Sequence, residues 1–152
     1  MTFDSLPAPV IADTLLQKTG TGLLTGDFEL FSDCFQLPKE FETFEGRVVI
    51  STREQLRKMF ETVRSHYHSV GLTDMVRHIV QAEYLDPETI SSTHESRLLQ
   101  GTMLLQEPYP VYSILKLTED GWKITQSSYA ALHDSLAGRA LNSAMHSHPS
   151  HG

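Results

Sequence analysis

Residues 51–71, STREQLRKMFETVRSHYHSVG, followed by residues 72–84, LTDMVRHIVQAEY, form the stretch in which the chain changes period. In the first segment Leu56, Met59, Phe60, Val63, Tyr67 and Val70 recur at spacings of three and four. That is one apolar stripe of a helix, with Ser51 and Glu54 placed to form a capping box and Gly71 placed to stop it. In the second segment the period drops to two. Val76, His78, Val80, Ala82 and Tyr84 read as one face of a strand, and Arg77, Gln81 and Glu83 as the other. A chain that is helical before this point and alternating after it is expected to be α+β.

The flanks agree. Upstream, Pro7 and Pro9 can start a helix reaching about Leu24, with Ile11, Leu15, Thr19 and Leu23 on one face. Gly20 and Gly22 inside it each cost about 1 kcal/mol against alanine, so packing must hold or bend this helix. Asp27 can cap a second helix carrying Phe28, Phe31 and Phe35, which ends at Leu37-Pro38. Phe41 to Ile50 reads as a small hairpin around Glu45-Gly46. Downstream, a turn at Asp86-Pro87-Glu88 leads to a strand from Ile90 to Leu105. Val111 to Leu117 is the next strand, and Glu119-Asp120-Gly121 turns into Trp122–Tyr129. Trp122 and Ile124 are expected to face the helices, with Trp122 against the third. The architecture expected is a cone-shaped α+β barrel: three N-terminal helices packed on a curved, mainly antiparallel sheet of about four long strands. Residues 1–8 read as a flexible leader and 9–130 as the domain. Residues 131–152 read as a closing helix, Ala131 to Leu141, and a disordered tail with His146, His148 and His151.

Composition bounds the function. The 152 residues carry a formal charge of −7, with 39% hydrophobic and 20% charged residues, which fits one globular domain. The acidic balance argues against a nucleic-acid partner, and Arg53, Arg57, Lys58 and Arg64 read as a solvated helix face. No apolar run approaches the roughly 18 residues of a membrane span, and no signal peptide opens the chain, so a cytoplasmic protein is expected. The single cysteine, Cys34, excludes an internal disulfide and a CxxC metal site. His66 and His68, two apart on a helix, diverge. His94-Glu95 begins a zinc-helix pattern that Leu98 breaks. No serine stands in a nucleophile elbow. Neither a metal nor a cofactor is expected.

The order and lengths of these elements, with Gly26-Asp27, Phe35, Gly46 and the Asp120-Gly121-Trp122-Lys123-Ile124 turn, resemble the nuclear transport factor 2-like superfamily over residues 9–130. That superfamily includes SnoaL-like polyketide cyclases, ketosteroid isomerase and many binding domains, so the resemblance implies a fold and a cavity but no single activity. Laid against ketosteroid isomerase, Thr19 falls where that enzyme has its oxyanion tyrosine, and Thr43 where it has its general-base aspartate. An alcohol is far too weak an acid to replace a carboxylate base, and alternation turns the neighbouring Glu42 away. The resemblance therefore implies no steroid-type isomerisation.

The residues left for a cavity site are His94 as the chemical group, with Thr19, Phe31, Phe35, Tyr67, His78, Tyr84, Ser92, Ser96 and Gln126 around an apolar or amphipathic small molecule. The two histidines share a face if the turn between their strands has three or five residues, and not if it has four. A lyase, cyclase or isomerase in the cavity is one reading. A non-catalytic module that pairs as a homodimer is the other, through a sheet face with Arg77, Ile79, Glu83, Glu95, Arg97 and Leu99.

Overall fold

The computed structural model describes residues 6–43 and 46–129. Ten elements follow in chain order: α1 Ala8–Thr25, α2 Phe28–Ser32, β1 Phe35–Thr43, β2 Gly46–Ile50, α3 Arg53–Ser69, β3 Asp74–Asp86, β4 Thr89–Gln100, β5 Met103–Leu104, β6 Tyr109–Thr118 and β7 Gly121–Tyr129. The helices pack against a curved, mostly antiparallel sheet, so the expected α+β architecture is the one adopted. Strand order is β2-β1-β7-β6-β4-β3, with β5 paired to β4. All pairings are antiparallel except β1 with β7.

Local chemistry explains the helix limits. Pro7 precedes α1, Pro9 sits in its first turn, and Gly26 closes it with φ 81°. Asp27 caps α2 by accepting from the Leu30 amide. That helix ends at Ser32, earlier than its aromatic spacing predicts, and Phe35 begins β1 instead. The capping box of α3 lies one residue later than expected: Thr52 and Gln55 exchange the two bonds. Gly71 follows with φ 79°. The closing helix and tail expected over 131–152, and residues 1–5 of the leader, lie outside the described residues.

The core falls into adjoining clusters. Phe28, Phe31, Phe41, Ile50, Leu56, Met59, Phe60 and Val63 join α2 and α3 to the β1–β2 hairpin. Ile11, Leu15, Cys34, Ile90, Leu115 and Ile124 join α1 to the sheet. Trp122 packs against this second cluster and edge-on against Tyr84, so it faces α1 and not α3 as expected. The two interior glycines of α1 have a steric reason. A Cβ on Gly22 would stand 2.9 Å from Phe31 Cβ and 3.0 Å from the Asp27 carbonyl oxygen, and one on Gly20 would stand 2.9 Å from Arg77 Nη2. Close approach of α1 to α2 and β3 outweighs the helix-propensity cost.

Two bulges decide which residues enter the cone. On β3 the register slips between Ile79 and Gln81, leaving Val80 unpaired. Before the slip Met75, Arg77 and Ile79 face the helices; after it Ala82 and Tyr84 do. The expected single face from Val76 to Tyr84 is therefore split, and Arg77 and Ile79 leave the outer face assigned to them. On β7 a second slip, between Ile124 and Gln126, sends Gln126 outward.

Candidate functional site

The inner faces of β3, β4, β6 and β7 meet α1 and α3 around two small cavities. One, of about 70 Å³, is lined among others by Leu16, Thr19, Phe31, Phe35, Ile79, Ser92, Ser113 and Ser127. The other, of about 60 Å³, is lined by Met59, Val63, Tyr67, Met75, Ser96 and Tyr109. Leu23, Arg77, His94 and Tyr129 line both, so they form the partition between the two cells.

Alternation on β4 supplies the polar column. Ser92, His94 and Ser96 all point inward and are buried, between Ile90 and Leu98. Facing them across the ladder are Ser113, Val111 and Tyr109 of β6, and Ser113 Oγ lies 3.4 Å from Ser127 Oγ of β7. Thr19 donates to the Leu16 carbonyl at 3.0 Å. Arg77 Nη2 donates to that same carbonyl and to Thr19 Oγ1, both at 2.8 Å. Among the described residues no Asp or Glu pairs with this guanidinium.

Burial sets the protonation states. It pushes His94 from 6.5 down to about 3, with Arg77 and then His78 adding repulsion, so the imidazole is neutral. Burial raises Tyr67 and Tyr129 above the ordinary tyrosine range and Tyr109 to about 12, leaving three neutral phenols. It also lowers Arg77, but a guanidinium stays charged in a protein. The cone thus presents one fixed cation among neutral hydroxyls and a neutral imidazole. Cys34 is outside this set: burial pushes its thiol up to about 11, and it sits against the Leu15 and Leu30 carbonyls, so it is inert.

Of the residues expected at a site, Thr19, Phe31, Phe35, Tyr67, Ser92, His94 and Ser96 are brought together in these two cells. Three are not. His78 pairs with Glu95, on the sheet face opposite His94, because the slip at Val80 turns the residues before it to the other face from Ala82 and Tyr84. Its Nε2 lies 3.7 Å from Glu95 Oε1, which Arg97 Nη1 meets at 2.7 Å. Tyr84 lies beside Trp122 and donates to the Leu6 carbonyl at 2.6 Å. Gln126 donates to Glu40 on the outer side at 3.2 Å. Arg77, Ser113, Tyr109, Ser127 and Tyr129 were missed. The alternation of Arg77 with Met75 and Ile79 was a usable signal, masked by the valines at 76 and 80. Thr43 pairs through its backbone with Gly46 and Tyr129. Among the described residues no three of His, Cys, Asp and Glu come together to hold a metal ion, and no helix is long and apolar enough to cross a membrane.

No protein-family model matches the sequence, and no curated protein does either. Solved structures do match in shape. A nuclear transport factor 2-like protein with a cystatin-like fold from Novosphingobium aromaticivorans superposes with TM-score 0.63 at 18% identity, over 87% of this chain and 86% of that one. A protein of unknown function from Mycobacterium tuberculosis gives 0.61 at 13%, over 91% and 88%. A nuclear transport factor 2-like protein of unknown function from Shewanella oneidensis gives 0.59 at 11%, over 78% and 95%. With its helices on a curved sheet and a polar-lined cavity between them, the chain has the nuclear transport factor 2-like, or cystatin-like, cone fold.

Proposed function

We propose that this protein binds an amphipathic small molecule in the cone. One observation carries the reading: hydroxyls, an imidazole and a guanidinium project from rigid strands into cavities whose other walls are apolar. Such groups cost stability in a core unless they are satisfied, and a few convergent polar groups in an apolar pocket are what orients a ligand. Binding fits the geometry better than lyase, cyclase or isomerase chemistry. A base working near neutral pH needs a pKa near that pH, and His94 is pushed down to about 3. The imidazole is a neutral hydrogen-bonding group that positions a ligand.

The test is a fragment screen by protein NMR on the parent and on His94→Ala. Bound fragments are expected to shift the Thr19, Ser92 and His94 amides, and to bind the variant more weakly. Fragments that bind the variant as tightly, or that all shift residues outside the cone, would overturn the reading.

A second reading, pairing of two copies, is favoured by the sheet face turned away from the helices. Val76, Val80 and Tyr112 are exposed there at 43%, 60% and 44%, beside the His78–Glu95–Arg97 cluster. Apolar surface of this kind favours a partner, and opposite charges can pair across a two-fold axis. Sedimentation at micromolar concentration is expected to give a dimer of the 17.1 kDa chain, and a monomer for Val80→Glu. A parent protein that sediments as a monomer would defeat it.

A further inference from the structure

We propose that the cone selects small carboxylic acids, holding the carboxylate on the Arg77 guanidinium; this rests on the reading of the cavity as a ligand site. Arg77 is the cation that lines both cells. Its two hydrogen bonds from Nη2 go to neutral oxygens, the Leu16 carbonyl and Thr19 Oγ1. A partly buried charge without a counter-ion is costly, and a bound anion removes that cost. Both Nη2 hydrogens are engaged in those two bonds, so a carboxylate gains the planar two-bond fork, which an ammonium does not offer, by displacing Thr19 Oγ1 from Nη2.

Three further features point the same way. First, α1 is shaped around this group. The missing Cβ of Gly20 leaves room for Nη2 at its present place, since a methyl would stand 2.9 Å away and push this flexible end of the side chain aside. Second, the other polar walls are neutral groups able to donate. Ser92, Ser96 and Ser113 offer hydroxyls, and the Tyr109 phenol keeps its proton. No carboxylate of the described residues is among the lining side chains to repel an anion. Third, size limits the remainder of the ligand. The cells measure about 70 and 60 Å³, each roughly half the ~150 Å³ that accepts benzene in an engineered cavity. A short aliphatic chain fits one cell. A single aromatic ring requires the Arg77 partition to move, and the apolar tail then lies against Leu23, Phe31 or Met59.

The experiment titrates labelled full-length protein by NMR with two matched pairs, butyrate against butyramide and benzoate against benzamide. The acids are expected to shift Thr19, Arg77 and His94 resonances, with the amides roughly 30-fold weaker or more, the loss typical when one side of a buried charge pair is removed. Arg77→Met is expected to lose the preference for acid over amide. Gly20→Ala keeps the charge, favours the helix and displaces the guanidinium, so it should weaken acid binding and carries the test if Arg77→Met does not fold. Amides that bind the parent as tightly as acids, or acids that bind Arg77→Met or Gly20→Ala with unchanged affinity, overturn the proposal and leave the cavity reading intact. If neither acid nor amide shifts these residues, the proposal fails, and the fragment screen on His94→Ala decides the cavity reading separately.

Discussion

Between pH 6.5 and 3 the His94 imidazole alone is expected to cost the fold about 4–5 kcal/mol of stability, a large fraction of the total for a domain this size. The folded group titrates at about 3 against 6.5 in the unfolded chain, because burial first, then Arg77 and His78, penalise the imidazolium. Through that window the unfolded state binds the extra proton, so unfolding becomes easier as pH falls, and above 6.5 the term vanishes. At pH 4.5 the loss from this group is about 2–3 kcal/mol. Urea unfolding of the parent and of His94→Gln at pH 7 and 4.5 isolates the term, since carboxylates and the other histidines titrate in both. The variant is expected to lose less stability on acidification by that amount. Equal losses would show that His94 titrates normally and is not buried as described. An anion bound at Arg77 would offset part of the repulsion on the imidazolium, so a carboxylate that binds there should reduce the same acid sensitivity.

Replacing Lys39 by methionine is expected to stabilise the protein at pH 7. Lys39 has no exposed surface, on the same face of β1 as Phe35 and Phe41. Its Nζ stands 3.4 Å from the Phe41 ring centroid and 5.3 Å from that of Phe35, and donates to the Glu40 carbonyl at 3.2 Å. Ring faces and one carbonyl replace only part of an ammonium's hydration. Burial therefore holds the amine well below 10.5, against a smaller opposing pull from Glu40. The unfolded chain binds the proton more readily up to pH 10.5, so the penalty is present at neutral pH and fades as pH rises toward that value. Methionine has similar length and no charge. Swaps of buried ionic groups for packed apolar ones gain about 1–4 kcal/mol where they stabilise. Unfolding at pH 7 and pH 10 should show a gain that shrinks at the higher pH. A loss at pH 7, or a gain independent of pH, would contradict this account.

Lys39 and Arg77 show where sequence reading stopped. A lysine or arginine in a strand is assigned to solvent by default, since such residues are almost never fully buried. Both are inside here, one under aromatic rings and the other against Gly20. His94 was legible because Ser92, His94 and Ser96 alternate without interruption, so any inward reading of one carried the others with it. His78 was misplaced through the valines at 76 and 80, whose apolar character imitated a core face. In this fold they belong to the uncovered side of the sheet.

By itself the sequence determined the architecture: the switch from a helical to an alternating period at Gly71, the first helix reaching about Leu24, and the turn at Asp120-Gly121. These are signals of local backbone geometry, each contained in a few neighbouring residues. Only the tertiary structure decided which side chains share the cavity. The two-residue turn at Pro87-Glu88, the bulge at Val80 and the slip before Gln126 set the pairing of strands. Side chains alternate with period two, so one extra residue moves everything beyond it to the other face. Nothing in the alternation itself marks where that residue goes. It is settled by the whole sheet closing its ladder against α1, where the absence of a Cβ at Gly20 leaves room for the Arg77 guanidinium.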